Sequence, residues 1–254
     1  MGLQIVPLRT PTLPPATHTN TVIIGAEDFV VLDPGSPYPD EQARLAEAVE
    51  SASTRGRFLG ILVSHQHRDH IGGVASLVEQ FDVPVWAHQR TAELVAPAIG
   101  VDRVLSDFDR IELGEDSLEV WHTPGHADGH LAFVHLRSNT ILVGDLVASE
   151  GTILVSPRDG HMGDYMESLA RLRDAVPSRL IPSHGEPIVD AVERLEFYIQ
   201  HRKNREAKIL DALTGQKSWS RPVDLVPIAY SDAPRRAWPL AVESTRAHLI
   251  YLEE

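Results

Sequence analysis

Apolar positions in this chain come in short bursts between turn-forming stretches, and the burst at 58–63, Phe-Leu-Gly-Ile-Leu-Val, contains no polar residue. A strand with that pattern is covered on both faces. Residues 3–8 predict an earlier strand, followed by a Pro/Thr-rich loop over 9–17. The β-branched runs 20–25 and 29–32 flank Ala26-Glu27-Asp28 and predict a hairpin that ends in the turn Asp33-Pro34-Gly35-Ser36. Helical spacing of Leu45, Ala46 and Val49 predicts a helix over 39–54. Further helices are expected over 69–80, 89–98 and 162–176, and short strands over 84–87, 118–121, 131–136, 140–143 and 179–182. Residues 100–117 read as polar and irregular. From 190 onward strand signals stop, and helices are expected over 190–212, 222–230 and 234–252. The expected division is therefore a strand-rich unit over 1–188 and a helical extension over 189–254.

Composition narrows the chemistry. The chain has 254 residues, 43% of them hydrophobic, enough for one substantial core with an appendage. A formal charge of -13 repels polyanions at long range and argues against non-specific nucleic-acid binding. Cysteine is absent, which excludes disulfides and thiolate ligands. The N-terminal stretch has no basic region followed by an apolar run, and prolines 7, 11, 14 and 15 interrupt it. A cytoplasmic location and no membrane partner are the expectation.

The 13 histidines then matter by position. The strand at 58–63 runs into Ser64-His65-Gln66-His67-Arg68-Asp69-His70, four ligand-type residues within six positions. Later strands run into His126, Asp145 and His184, each beside glycine or a turn residue. Ends of neighbouring strands share one edge, so these side chains can converge there. Packing so many ionisable groups without a cation is costly. Imidazoles and carboxylates suit zinc, and also iron or manganese. Seven ligands exceed one tetrahedral shell but divide between two ions if a carboxylate bridges. His18, His88, His122, His135, His161, His201 and His248 read as ordinary polar or structural residues.

The segments His65-Gln66-His67-Arg68-Asp69-His70, Pro124-Gly125-His126, Gly144-Asp145 and Ser183-His184-Gly185 resemble, in order, the motifs of the metallo-β-lactamase superfamily, and Asp33-Pro34-Gly35 resembles its early Asp–Gly turn. The resemblance covers about residues 18–188. It implies an α/β fold, the αββα sandwich, with the metals at one edge of the two sheets. It implies that His65, His67 and His126 hold one ion, that Asp69, His70 and His184 hold the other, and that Asp145 bridges. It further implies a hydrolase in which a hydroxide shared by the ions attacks the substrate, with Asp69 orienting it or taking a proton. His130 and Asp33 are candidates for orienting ligands from outside the shell or, equally, for purely structural roles. Tyr165, at the start of the 162–176 helix, is a candidate substrate contact or, equally, a core residue.

Asp164-Tyr165-Met166 and the segment Tyr198 to Leu210 resemble the β-lactamase-like protein 2 subfamily, whose members carry a winged-helix-like extension. Here that extension reads as truncated after its last helix. Members include a single-strand endoribonuclease and carrier-bound polyketide thioesterases. Arg202, Lys203, Arg205 and Lys208 form a basic stripe, expected to be a solvated face paired with Glu196 and Glu206. No aromatic run accompanies it. The expected substrate is a small ester, thioester or lactone. A phosphodiester is the alternative, ahead of a glutathione thioester or a β-lactam. Oligomeric state is left open.

Overall fold

The computed structural model describes residues 2–96, 98–215 and 220–254. Six strands form the first sheet in chain order: β1 (Leu3–Arg9), β2 (His18–Gly25), β3 (Asp28–Leu32), β4 (Arg57–Leu62), β5 (Val85–His88) and β6 (Arg103–Leu105). Five form the second, in the order β11 (Arg179–Pro182), β10 (Thr140–Gly144), β9 (Leu131–His135), β8 (Asp116–His122), β7 (Arg110–Leu113). Alternate residues of one strand face opposite ways, and both faces here are covered. Val22, Ile24, Val30, Leu32 and Leu62 of the first sheet meet Leu131, Phe133, Leu142 and Ile181 of the second. Their neighbours Ile23, Phe29, Val31 and Ile61 point outward onto α1 (Pro39–Ser53) and α3 (Val74–Phe81). Ala132, Val134, Ile141 and Leu180 point outward onto α5 (Met162–Asp174) and α6 (Ala191–Thr214). The result is the expected αββα sandwich.

Parallel pairing of β3, β4, β5 and β6, and of β10 with β11, brings several strand C-termini to one end of the sandwich. Cross-sheet backbone hydrogen bonds close that end. Asn20 N donates to the Ser183 carbonyl at 2.7 Å, and Leu131 N to the Ser64 carbonyl at 2.9 Å.

Several expectations need correction. The helix expected over 69–80 is two, α2 (Arg68–Ile71) and α3, broken at Gly72-Gly73. The break lets the backbone press against the Asp33–Ser36 turn: a Cβ on Gly72 would lie 2.5 Å from the Gly35 carbonyl oxygen. The stretch 100–117 holds β6, β7 and the start of β8 rather than irregular chain. The helix expected over 89–98 is α4 (Gln89–Val95), and residue 97 lies outside the described residues.

The C-terminal helices are α6, α7 (Pro222–Ala229) and α8 (Trp238–Glu253). They build a small core of their own around Ile209, Leu225, Val226 and Ala241. Leu195, Tyr198 and Ala247 also enter the outer core against the second sheet. The basic stripe is only half a solvated face: Lys203 and Lys208 are exposed, but its arginines are not. Arg202 and Arg205 are buried, over the rings of Tyr165 and Tyr230 respectively, and Arg205 and Lys208 pair with Asp232, not with Glu196 or Glu206. Among the described residues no helix is long and apolar enough to cross a membrane.

Candidate metal centre

The expected ligands arrive from four strand ends. His65 follows β4, His67 caps α2, and Asp69 and His70 lie in α2. His126 follows β8, Asp145 follows β10 and His184 follows β11. These seven residues converge as two groups: His65, His67, His126 and Asp145, and Asp69, His70 and His184, each with donor atoms within 4.8 Å of one another. Asp145 also reaches the second group. Its Oδ2 lies 3.6 Å from His126 Nε2, while its Oδ1 lies 3.5 Å from His70 Nε2 and 3.3 Å from His184 Nε2. Asp69 Oδ2 lies 3.6 Å from His184 Nε2 and 3.9 Å from His70 Nε2.

The outer hydrogen bonds decide which ring nitrogen each histidine leaves bare. A carbonyl only accepts, so His126 Nδ1–H donates to Leu154 O at 2.8 Å and His184 Nδ1–H to His18 O at 2.9 Å. His70 Nδ1–H donates to Asp33 Oδ2 at 2.9 Å, and His67 Nε2–H to Asp159 Oδ2 at 2.7 Å. Ser64 Oγ–H donates to Asp33 Oδ2 at 2.6 Å, so its oxygen accepts from His65 Nδ1–H at 2.9 Å. Five lone pairs are thus aimed inward: Nε2 of His65, His70, His126 and His184, and Nδ1 of His67. In the first group, His67 Nδ1 lies 2.9 Å from His65 Nε2 and 3.0 Å from His126 Nε2. Lone pairs at that separation repel unless a positive charge lies among them. In the second, His70 Nε2 and Asp145 Oδ1 are buried without a hydrogen-bond partner. A cation would satisfy both groups, so the residues present fit two divalent ions.

The electrostatics agree. Burial, then the surrounding imidazoles, holds His65 well below its ordinary pKa, and burial takes His126 down to about 4. Burial alone would also lower His70, but Asp145 and Asp33 outweigh it and hold His70 well above. His184 rises on the same balance against Asp145. Burial would raise Asp145, yet His184 and His70 hold it well below the usual carboxylate range. The pocket thus demands positive charge beside Asp145, as protons or as metal, and a metal displaces the protons.

Two candidates for outer positions hydrogen-bond directly to ligand residues. Asp33, 1% exposed, accepts from Ser64 N, Ser64 Oγ and His70 Nδ1. His130 Nε2 accepts from Asp145 N at 3.1 Å. Gly144 permits that approach: its φ is +54°, and a Cβ there would lie 2.3 Å from His130 Nε2. For Tyr165 the core reading holds and the substrate contact does not. It is fully buried, its hydroxyl donates to Leu146 O at 2.6 Å, and it does not line the cavity over the metal groups, so it is a core residue rather than a substrate contact. Asp159 is a site residue that the sequence does not announce. It sits in a loop with no periodic signal, and only its fold-back onto His67 reveals it.

The two groups open into a cavity of about 890 Å³, lined also by the 11–18 loop, the segment around 148–159 and Leu240 of α8.

A family model described as the metallo-beta-lactamase superfamily matches residues 14–184. The beta-lactamase-like protein 2 homolog of Drosophila melanogaster is 30% identical over 247 residues, which is 93% of this chain and 82% of that protein. An atrochrysone carboxyl ACP thioesterase of Aspergillus chevalieri is 29% identical over 197 residues, 77% of this chain and 60% of that protein. A solved metallo-beta-lactamase family protein from Thermus thermophilus superposes with a TM-score of 0.79 at 25% identity, covering 99% of this chain and 93% of that one.

Proposed function

The chain belongs to the metallo-beta-lactamase superfamily and is a metal-dependent hydrolase, and from that premise we propose that it cleaves a small carboxylic ester, thioester or lactone at two divalent ions. His65, His67 and His126 would hold one ion, Asp69, His70 and His184 the other, and Asp145 would bridge. The observation that carries this reading is the convergence of five imidazole nitrogens, each on a ring whose N–H is bonded outward, around a shared, buried carboxylate. The imidazole-rich set suits zinc, with iron or manganese as competitors. Ions bound there supply an acidified water at neutral pH and polarise the substrate oxygen.

The chain's own residues do the rest. Asp69 lies on the cavity lining, close enough to His184 to hold a water by one oxygen and take its proton. Asp159 and Asp33 fix the tautomers of His67 and His70. Hydrolysis breaks the acyl carbon–sulfur or carbon–oxygen bond, places the water's hydroxyl on the acyl carbon and its proton on the departing sulfur or oxygen. The thioesterase relative supports the acyl reading. Among the described residues the lining includes no Phe, Tyr or Trp on which bases could stack, and Glu150, Asp159 and Glu186, with Asp69 and Asp145, outnumber Arg44 and Arg68, which disfavours RNA. The partner is a small molecule.

Metal analysis by mass spectrometry is expected to find about two ions per chain, and its element settles zinc against iron. A panel of chromogenic esters and thioesters is expected to be turned over, with labelled single-stranded RNA left intact. RNA cleavage with a silent panel overturns the substrate class. His67→Ala that retains full hydrolysis removes the centre from the reaction.

A further inference from the structure

The cavity is larger than the metal groups need. About 890 Å³ lies toward the upper end of small-molecule sites. Beyond the imidazoles and carboxylates, its lining turns apolar at Pro11, Leu13, Pro14, Pro15, Leu154 and Leu240. Three of these six are prolines, which offer no backbone N–H to a polar ligand. Leu13 and Leu240 are 52% and 36% exposed, so two large apolar side chains are left open to water beside one site. An alkyl chain lying in this cavity would remove that apolar surface from water.

We propose that this wall seats the apolar acyl group of the substrate, so that the enzyme selects medium-chain acyl esters or thioesters over acetyl ones. The proposal rests on the ester or thioester reading above. The acyl half suits the wall better than the leaving half. Carrier and coenzyme thiols bear amides and phosphates, which need donors and positive charge. Along the described lining Arg44 and Arg68 are outnumbered by Asp69, Asp145, Glu150, Asp159 and Glu186, and Arg44 is already bonded to Pro7 O and Glu41, so the wall as a whole opposes a phosphate. An alkyl chain asks for neither donors nor charge. It covers Leu13 and Leu240 while its carbonyl lies at the metal groups of the same cavity.

The test is a series of S-acyl thioesters from two to ten carbons with the metal-loaded enzyme. The specificity constant kcat/KM is expected to rise about two- to four-fold per methylene while the chain finds wall. Leu13→Asp and Leu240→Asp are expected to flatten that rise, mainly through KM. Ile228→Asp, also at an exposed apolar residue (52%) but on α7 and off the lining, is expected to leave it steep. Circular dichroism checks that each variant folds. A flat wild-type series, or a steep one that survives both aspartates, overturns the proposal. Calorimetry with decanoate, which needs no turnover, separates the two readings. Decanoate that binds the wild type and not the aspartate variants upholds the seat even if no thioester is hydrolysed. Turnover without chain-length preference sinks the seat and spares the hydrolase.

Discussion

At the scale of single residues, Asp33 has the widest reach for its size. One buried carboxylate accepts from the amide and hydroxyl of Ser64 and from His70. Through Ser64 it also settles the proton on His65. Asp33→Ala is therefore expected to weaken metal binding about 10- to 100-fold, although Asp33 is no ligand. Competition against a chromophoric chelator reads this directly, and an unchanged affinity would show that the tautomers are set elsewhere. Asp33 is legible in the sequence because it ends a strand and opens a Pro-Gly turn. Asp159 is not: Ser156-Pro157-Arg158-Asp159-Gly160 reads as any turn. Tyr165 misleads for the opposite reason, since its place at a helix start says nothing of which way the ring faces.

At the scale of elements, the long helix α6 braces the loop beneath the cavity. Arg194 donates to the carbonyls of Ala148 and Gly151, and Tyr198 Oη accepts from Ala148 N at 2.9 Å. Arg202, buried with no carboxylate partner among the described ion pairs, donates to Ile153 O. That loop presents Leu154 O to His126 and Asp159 to His67. Tyr198→Phe strands the Ala148 amide in a buried place and is expected to cost about 1–3 kcal/mol. A urea midpoint measures it, and faster proteolysis within 146–160 locates it. Strand 58–63 is readable because both faces are covered and every position is apolar. Strands β6 and β7 are not, because the first sheet ends at β6 and the second at β7, and Arg103, Arg110 and Glu112 face solvent. The basic residues of α6 mislead in the same manner. Periodicity places them on one helix face, and charge suggests water, but guanidinium groups stack on Tyr165 and Tyr230.

At the scale of the whole molecule, the helical extension carries an acid sensitivity separate from the metals. Burial, reinforced by Arg202 and Arg205, takes His248 down to about 3 and His201 to about 4. Both are neutral when folded and recover an ordinary imidazole pKa of about 6.5 when unfolded. The unfolded chain therefore binds more protons below about pH 6.5. Their contribution to stability is fully present above that pH and is lost as pH falls toward about 4 and below. Thermal unfolding of the metal-loaded protein is expected to fall to lower temperature between about pH 7.5 and about pH 5. Replacing both, His201→Phe with His248→Phe, is expected to narrow that drop, whereas an equal drop in the double variant would place it outside this pair.

Asp145 turns one oxygen to each histidine group. On the proposed two-ion reading, the first ion to arrive would neutralise the carboxylate for its neighbour and also fix its orientation, effects of opposite sign on the second. A metal titration should thus resolve two unequal steps rather than one of double height. His184→Ala should abolish one step, and Asp145→Ala should damage both. Through that single carboxylate, a change made at one group would be felt at the other.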